Sequence, residues 1–139
     1  MTRLFEIATE NSICFEYIGL PRNESVSIHT PERDYVALDY SLIESGAEER
    51  VHGAHEIGHC ITGAFYYGYS PLECRAKQEA KATRWAIEQL VSLTALRTAL
   101  QRGFAELWEL SEYFCVTDEF MAAAIDYWTI TKGENLNCC

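Results

Sequence analysis

The five residues His55-Glu56-Ile57-Gly58-His59 carry the most chemistry for their length. On a helix, side chains four apart stand one above the other. His55 and His59 can therefore offer two imidazole nitrogens to one metal ion. Glu56, one position on, can reach a water on that metal and serve as general base. Zinc suits such a donor set, and an H-E-x-x-H helix is the core of a metallopeptidase site. The spacers agree with this: Ile57 is apolar, and Gly58 is small enough to leave room where a helix presses on a core. The competing reading is a solvated helix whose two histidines bind nothing.

Catalytic zinc takes three protein ligands and keeps one position open. The third must come from an element facing the motif helix. Ser70-Pro71-x-Glu73 marks a second helix start, with Ser70 as N-cap, Pro71 in the first turn and a carboxylate near the positive end. That helix continues through Ala80, Ala82, Trp85, Ala86 and Leu90 and carries Glu73, Glu79 and Glu88. Glu73 fits the helix dipole without any metal, and Glu88 lies far along, beside polar Gln89. Glu79 follows His59 at a distance that allows a hairpin turn back, and Ala82 and Ala86 permit close helix approach. Glu79 is the favoured third ligand; its bland alternative is an exposed glutamate paired with Lys77 or Lys81.

Attack on a peptide carbonyl also needs a second donor for the oxyanion. His52, Tyr66, Tyr67 and Tyr69 are the candidates, with His52 more readily a supporting or surface histidine than a ligand. A strand beside the motif helix, over 36–38, could pair with an extended substrate.

The elements that must position these residues are legible in outline. A short amphipathic helix is expected over 4–8. Strands follow at 13–18, 26–28 and 35–38, separated by turns near Pro21 and Pro31, which suggests a small three-stranded antiparallel sheet. Ser41-x-x-Glu44 and Ser45-x-x-Glu48 are both capping-box candidates. The motif helix should begin near one of them and run to about Tyr66, ended by Gly68-Tyr69. Three shorter helices are expected at 93–102, 105–114 and 118–128, the last capped by Thr117, and the chain from Thr131 reads as a frayed tail. Residues 110–125 have a helix-turn-helix cadence, but Asp118, Glu119 and Asp126 make the second helix acidic, so it is no DNA reader. Phe114, Phe120, Tyr127 and Trp128 read as packing anchors, and Trp85 and Trp108 as core. The fold class is α+β, with the sheet packed on a helical bundle and the motif helix central.

Composition sets the outer limits. A chain of 139 residues suits one domain with a real core, and 48% hydrophobic and 12% aromatic content make it globular. Its net charge of −10 argues against direct binding to nucleic acid or an anionic membrane. There is no signal-like N-terminus and no long apolar run, so a soluble, cytoplasmic protein is expected. The six cysteines, at 14, 60, 74, 115, 138 and 139, form no C-x-x-C pair. Free thiols are the expectation in a reducing compartment. Cys60 should pack rather than coordinate, and Cys138 and Cys139 should be exposed and prone to oxidation.

The run Glu49-Arg50-x-x-x-x-His55-Glu56-Ile57-Gly58-His59, followed by Gln78-Glu79-x-x-Ala82-x-x-Trp85-Ala86, resembles the ImmA/IrrE metallo-endopeptidases of bacteria and their phages. In that family an E-x-x-A-x-x-F/W-A helix follows the H-E-x-x-H helix, and its Glu completes the zinc site. The strand over 35–39 and the segment Glu109-Leu110-Ser111-Glu112-Tyr113-Phe114-x-Val116 also look like family features, and the resemblance covers about residues 35–128. It implies a zincin-like, gluzincin-type fold, zinc held by His55, His59 and Glu79, and Glu56 as general base. It further implies a cytosolic protease of a mobile element or prophage that cleaves a helix-turn-helix repressor. The rival expectation is a zinc-bound interaction module, such as a toxin–antitoxin or anti-repressor partner, with little or no peptidase activity.

Overall fold

A computed structural model describes residues 1–137, which puts the expectation for Cys138 and Cys139 outside the described residues. The described residues form six α-helices and a three-stranded sheet, an α+β fold. The chain divides into two compact units, Met1–Ala86 and Ile87–Cys139. No helix among the described residues is long and apolar enough to cross a membrane.

In the first unit, α1 (Thr2–Glu10) buries Leu4, Ile7 and Ala8 at the spacing of one helical face. Strands β1 (Ile13–Tyr17), β2 (Ser25–His29) and β3 (Asp34–Leu38) form a sheet of order β1-β3-β2. β2 and β3 are antiparallel, joined by a tight turn in which Thr30 N–H donates to the Arg33 carbonyl. β1, however, pairs with β3 in parallel, so the sheet is mixed and not antiparallel throughout. The reason lies in the connection over 18–24. It is long enough to cross two strand spacings, roughly 10 Å, so β3 can insert between its sequence predecessors. Apolar alternation marks strands but does not say which neighbour each one takes. As the central strand, β3 buries Val36, Ala37 and Leu38 in succession.

Asp39 locks the end of β3. Its carboxylate accepts from Leu20 N–H at 2.8 Å, Ser41 N–H at 3.0 Å and Ser41 Oγ–H at 2.6 Å. The Leu20 amide and the Ser41 hydroxyl hold this carboxyl below its usual range, against the opposing effect of burial. A carboxyl with a lowered folded-state pKa contributes stability above its unfolded value of about 3.9 and loses it as the pH falls through the folded value. Urea midpoints measured from pH 7 down to pH 2 should show wild type above Asp39→Asn at neutral pH, with the gap closing in acid. A constant gap would contradict the assignment.

Helix α2 (Gly46–Thr62) carries the motif. Of the two candidate starts Ser45 is used: its hydroxyl accepts from Glu48 N–H at 3.1 Å. The helix ends at Thr62 and not near Tyr66, because Gly63 turns left-handed at φ 66°. There Gly63 N–H donates to the Cys60 carbonyl and Ala64 N–H to that of His59. Helix α3 (Leu72–Leu90) begins one residue later than Ser70 capping would place it. Pro71 supplies the first carbonyl, to Arg75 N–H, while Ser70 Oγ accepts from Tyr67 N–H in the preceding turn.

α2 and α3 meet at Gly58. A Cβ built there would lie 2.7 Å from the Ala82 carbonyl oxygen and 3.2 Å from the Trp85 ring. Gly58→Ala should gain about 1 kcal/mol of helix propensity. It should lose more to overpacking against backbone, where such insertions cost about 1–3 kcal/mol. A lower urea midpoint is the expected result; a raised one would show that the helices are free to part.

In the second unit, α4 (Leu93–Gln101), α5 (Leu107–Phe114) and α6 (Asp118–Asp126) lead into a π-helical turn, Tyr127–Thr131. Thr117 caps α6 as expected, accepting from Phe120 N–H. Phe114, Phe120 and Tyr127 are buried, and the Trp128 indole N–H donates to the Val91 carbonyl. Trp108 is not core: it is 57% exposed. It lies two positions, about 200° around the helix, from buried Leu110. Within the expected tail, Glu134 and Asn135 are tied down and not frayed, since the Arg97 guanidinium donates to Glu134 and to the Asn135 carbonyl.

Candidate metal centre

The left-handed turn at Gly63 does more than end α2. It swings the Ala64 carbonyl onto the His59 ring, where Nδ1 lies within hydrogen-bond distance of it. A carbonyl only accepts, so Nδ1 carries the hydrogen and Nε2 of a neutral His59 bears a lone pair. The bond also fixes the plane of a ring that is 4% exposed. This is the orienting contact typical of a metal-binding histidine.

Two further donor atoms converge on that lone pair. His59 Nε2 lies 3.2 Å from His55 Nε2 and 3.2 Å from Glu79 Oε1. His55 Nε2 lies 2.6 Å from Glu79 Oε2, and its Nδ1 is 3.3 Å from Thr83 Oγ1. α2 thus supplies the histidines and α3 the carboxylate, as the spacing predicts. Donors around a tetrahedral zinc with bonds of about 2.0–2.1 Å stand about 3.3 Å apart. Two of the three separations match, and a neutral His59 nitrogen and a carboxylate oxygen at this distance need a proton or a metal cation between them. His55, His59 and Glu79 are close enough together to hold one.

The carboxylate is prepared for that role. Burial would raise the Glu79 carboxyl, but the Tyr66 hydroxyl, donating to Oε1 at 2.7 Å, and the two histidines outweigh it and hold the group below its usual range. The same bond, with burial, pushes the Tyr66 phenol up to about 12. Glu56 is 8% exposed, and its Oε1 accepts from Ser25 Oγ–H at 3.0 Å. Ser25, Glu56, His59, Phe65, Tyr66 and Glu79 are among the residues lining a cleft of about 250 Å³.

The other candidates are elsewhere. Glu73 is exposed, 3.6 Å from Lys77 Nζ, and Glu88 accepts from the Tyr127 hydroxyl within the second unit. Tyr67 and Tyr69 stack on each other, ring centroids 5.5 Å apart, and are exposed. His52 Nδ1 lies 3.2 Å from Ser25 Oγ. Cys60 is a half-buried thiol that burial, Asp34 and Glu56 push up to about 12, and it is not among the three residues whose donor atoms cluster. Cys14, Cys60 and Cys74 are free thiols. Val36, Ala37 and Leu38 cannot receive a substrate strand, because β1 and β2 occupy both edges of β3. β2 is the sheet-edge strand that lines the cleft.

Three residues escaped the sequence reading. Gly63 was open to it as a helix-ending glycine. Thr83 was open to it as the residue four after Glu79 on the same helical face. Ser25 sits far away in sequence with no motif around it, and nothing in the sequence marks it. No family model, curated protein or solved structure matches the chain.

Proposed function

We propose that the protein is a zinc-dependent endopeptidase with a zincin-like, gluzincin-type site, in which His55, His59 and Glu79 hold zinc and Glu56 is the general base. The observation that carries this reading is the convergence of two further donor atoms, from His55 and Glu79, on an oriented His59 lone pair, with a buried carboxylate in the same cleft. Zinc supplies, when bound, an acidified water and positive charge for a carbonyl oxygen. Glu56 accepts the proton of the attacking water and passes it to the leaving amine. Tyr66 alone among the three tyrosines reaches the donor set, which favours it as the second oxyanion donor. The free edge of β2 can receive an extended peptide by strand addition.

A cytoplasmic role and a helix-turn-helix repressor as substrate rest on the sequence resemblance to the ImmA/IrrE enzymes. A pure interaction module would have no use for a buried carboxylate beside the donors, which favours the enzyme. The test is hydrolysis of fluorescently labelled, unfolded casein by zinc-loaded protein. Fragments should appear, cease with 1,10-phenanthroline and return with added zinc. Intact casein at full zinc occupancy would overturn the peptidase reading in favour of the interaction module.

A further inference from the structure

We infer that Ser25 and His52 are positioning residues for Glu56: His52 Nδ1–H donates to Ser25 Oγ, and Ser25 Oγ–H donates to Glu56 Oε1. The inference rests on the peptidase reading above and adds to it the device that aims the base.

The direction of the two bonds follows from hydrogen counting. Ser25 Oγ lies 3.0 Å from Glu56 Oε1 and 3.2 Å from His52 Nδ1. A hydroxyl carries one hydrogen, and an ionised carboxylate can only accept. The hydroxyl hydrogen therefore goes to Glu56, and the other bond must run from the ring to the hydroxyl oxygen. Nδ1 then carries the ring hydrogen of a neutral His52. The serine links two elements: His52 and Glu56 stand four apart on α2, one above the other, and Ser25 opens β2.

The consequence for Glu56 is a choice between its oxygens. A terminal carboxylate torsion is broad and presents either oxygen almost equally. Holding Oε1 on Ser25 removes that freedom and leaves Oε2 as the oxygen to take a proton in the cleft. Ser25 bonds Glu56 and His52 and, among the described residues, none of the three metal donors. Its loss should therefore affect proton transfer and leave metal binding intact. Orienting contacts one step removed from a site are worth about 10–100-fold in activity.

Two measurements test the inference. In protein labelled with ¹⁵N-histidine, with the His52 signals assigned through His52→Gln, long-range ¹H–¹⁵N correlations should show His52 as the Nδ1–H tautomer. Ser25→Ala should abolish that preference. In labelled-casein hydrolysis, Ser25→Ala should keep its zinc content and KM while kcat falls about 10–100-fold, and Ser25→Thr should restore most of it. An Nε2–H tautomer in the wild type, wild-type turnover in Ser25→Ala, or loss of zinc from that variant would each overturn the positioning role and leave the peptidase reading standing. Casein untouched by zinc-loaded wild type would overturn the peptidase reading, and this inference with it.

Discussion

Glu56→Gln should retain zinc and lose about 100- to 10,000-fold in kcat on labelled casein, the range for removing a positioned general base. The substitution is nearly isosteric, and the amide oxygen can still accept from Ser25, so the local geometry has every reason to persist. What the amide cannot do is take a proton from water. Glu56 is buried at 8% exposure, and neutralising a buried carboxylate relieves its desolvation cost, so the variant should fold. Turnover measured beside zinc content on the same sample separates chemistry from metal loss. A Glu56→Gln protein that holds zinc and cleaves casein at the wild-type rate would remove Glu56 from the mechanism.

The second large effect is on stability. A ligand that binds only the folded state stabilises by about 2.7 kcal/mol at a hundredfold excess over its Kd. For a chain of this size that corresponds to a rise in Tm of roughly 10 °C. His59→Ala should abolish the zinc-induced rise, because His59 is the donor whose lone pair is aimed by the Ala64 carbonyl. The variant also leaves a cavity and an unpaired carbonyl, so its Tm in the absence of zinc should be lower as well. The informative quantity is therefore the difference with and without zinc for each protein. Thermal unfolding of Glu79→Ala should give a smaller zinc-induced rise than wild type. Equal rises in wild type and His59→Ala would place the metal somewhere else.

The metal donors were open to sequence reasoning because a helix imposes its own geometry. His55 and His59 had to share a face, and a second helix with small residues after Glu79 had to be able to approach. Gly58 against Ala82 is the physical form of that approach. Where the reading went astray, the deciding interactions were tertiary. The parallel pairing of β1 with β3 depends on which strand fills the gap left by a long connection, and alternation of apolar residues is blind to that. Trp108 reads as core on residue type alone, but the helical phase set by Leu110 and Phe114 points it outward. The early end of α2 was available in Gly63, but the apolar residues that follow it continued the helical pattern. Ser25 could not have been found, since its role exists only once β2 lies beside α2.

The most direct measurement of the proposed metal site is the zinc content of the purified, dialysed protein by elemental analysis, beside Glu79→Ala. One zinc per chain is expected in the wild type and a clear loss in the variant, because the carboxylate is the only donor α3 contributes to the cluster among the described residues. No zinc after reconstitution, or equal retention by both proteins, would contradict the three-ligand site.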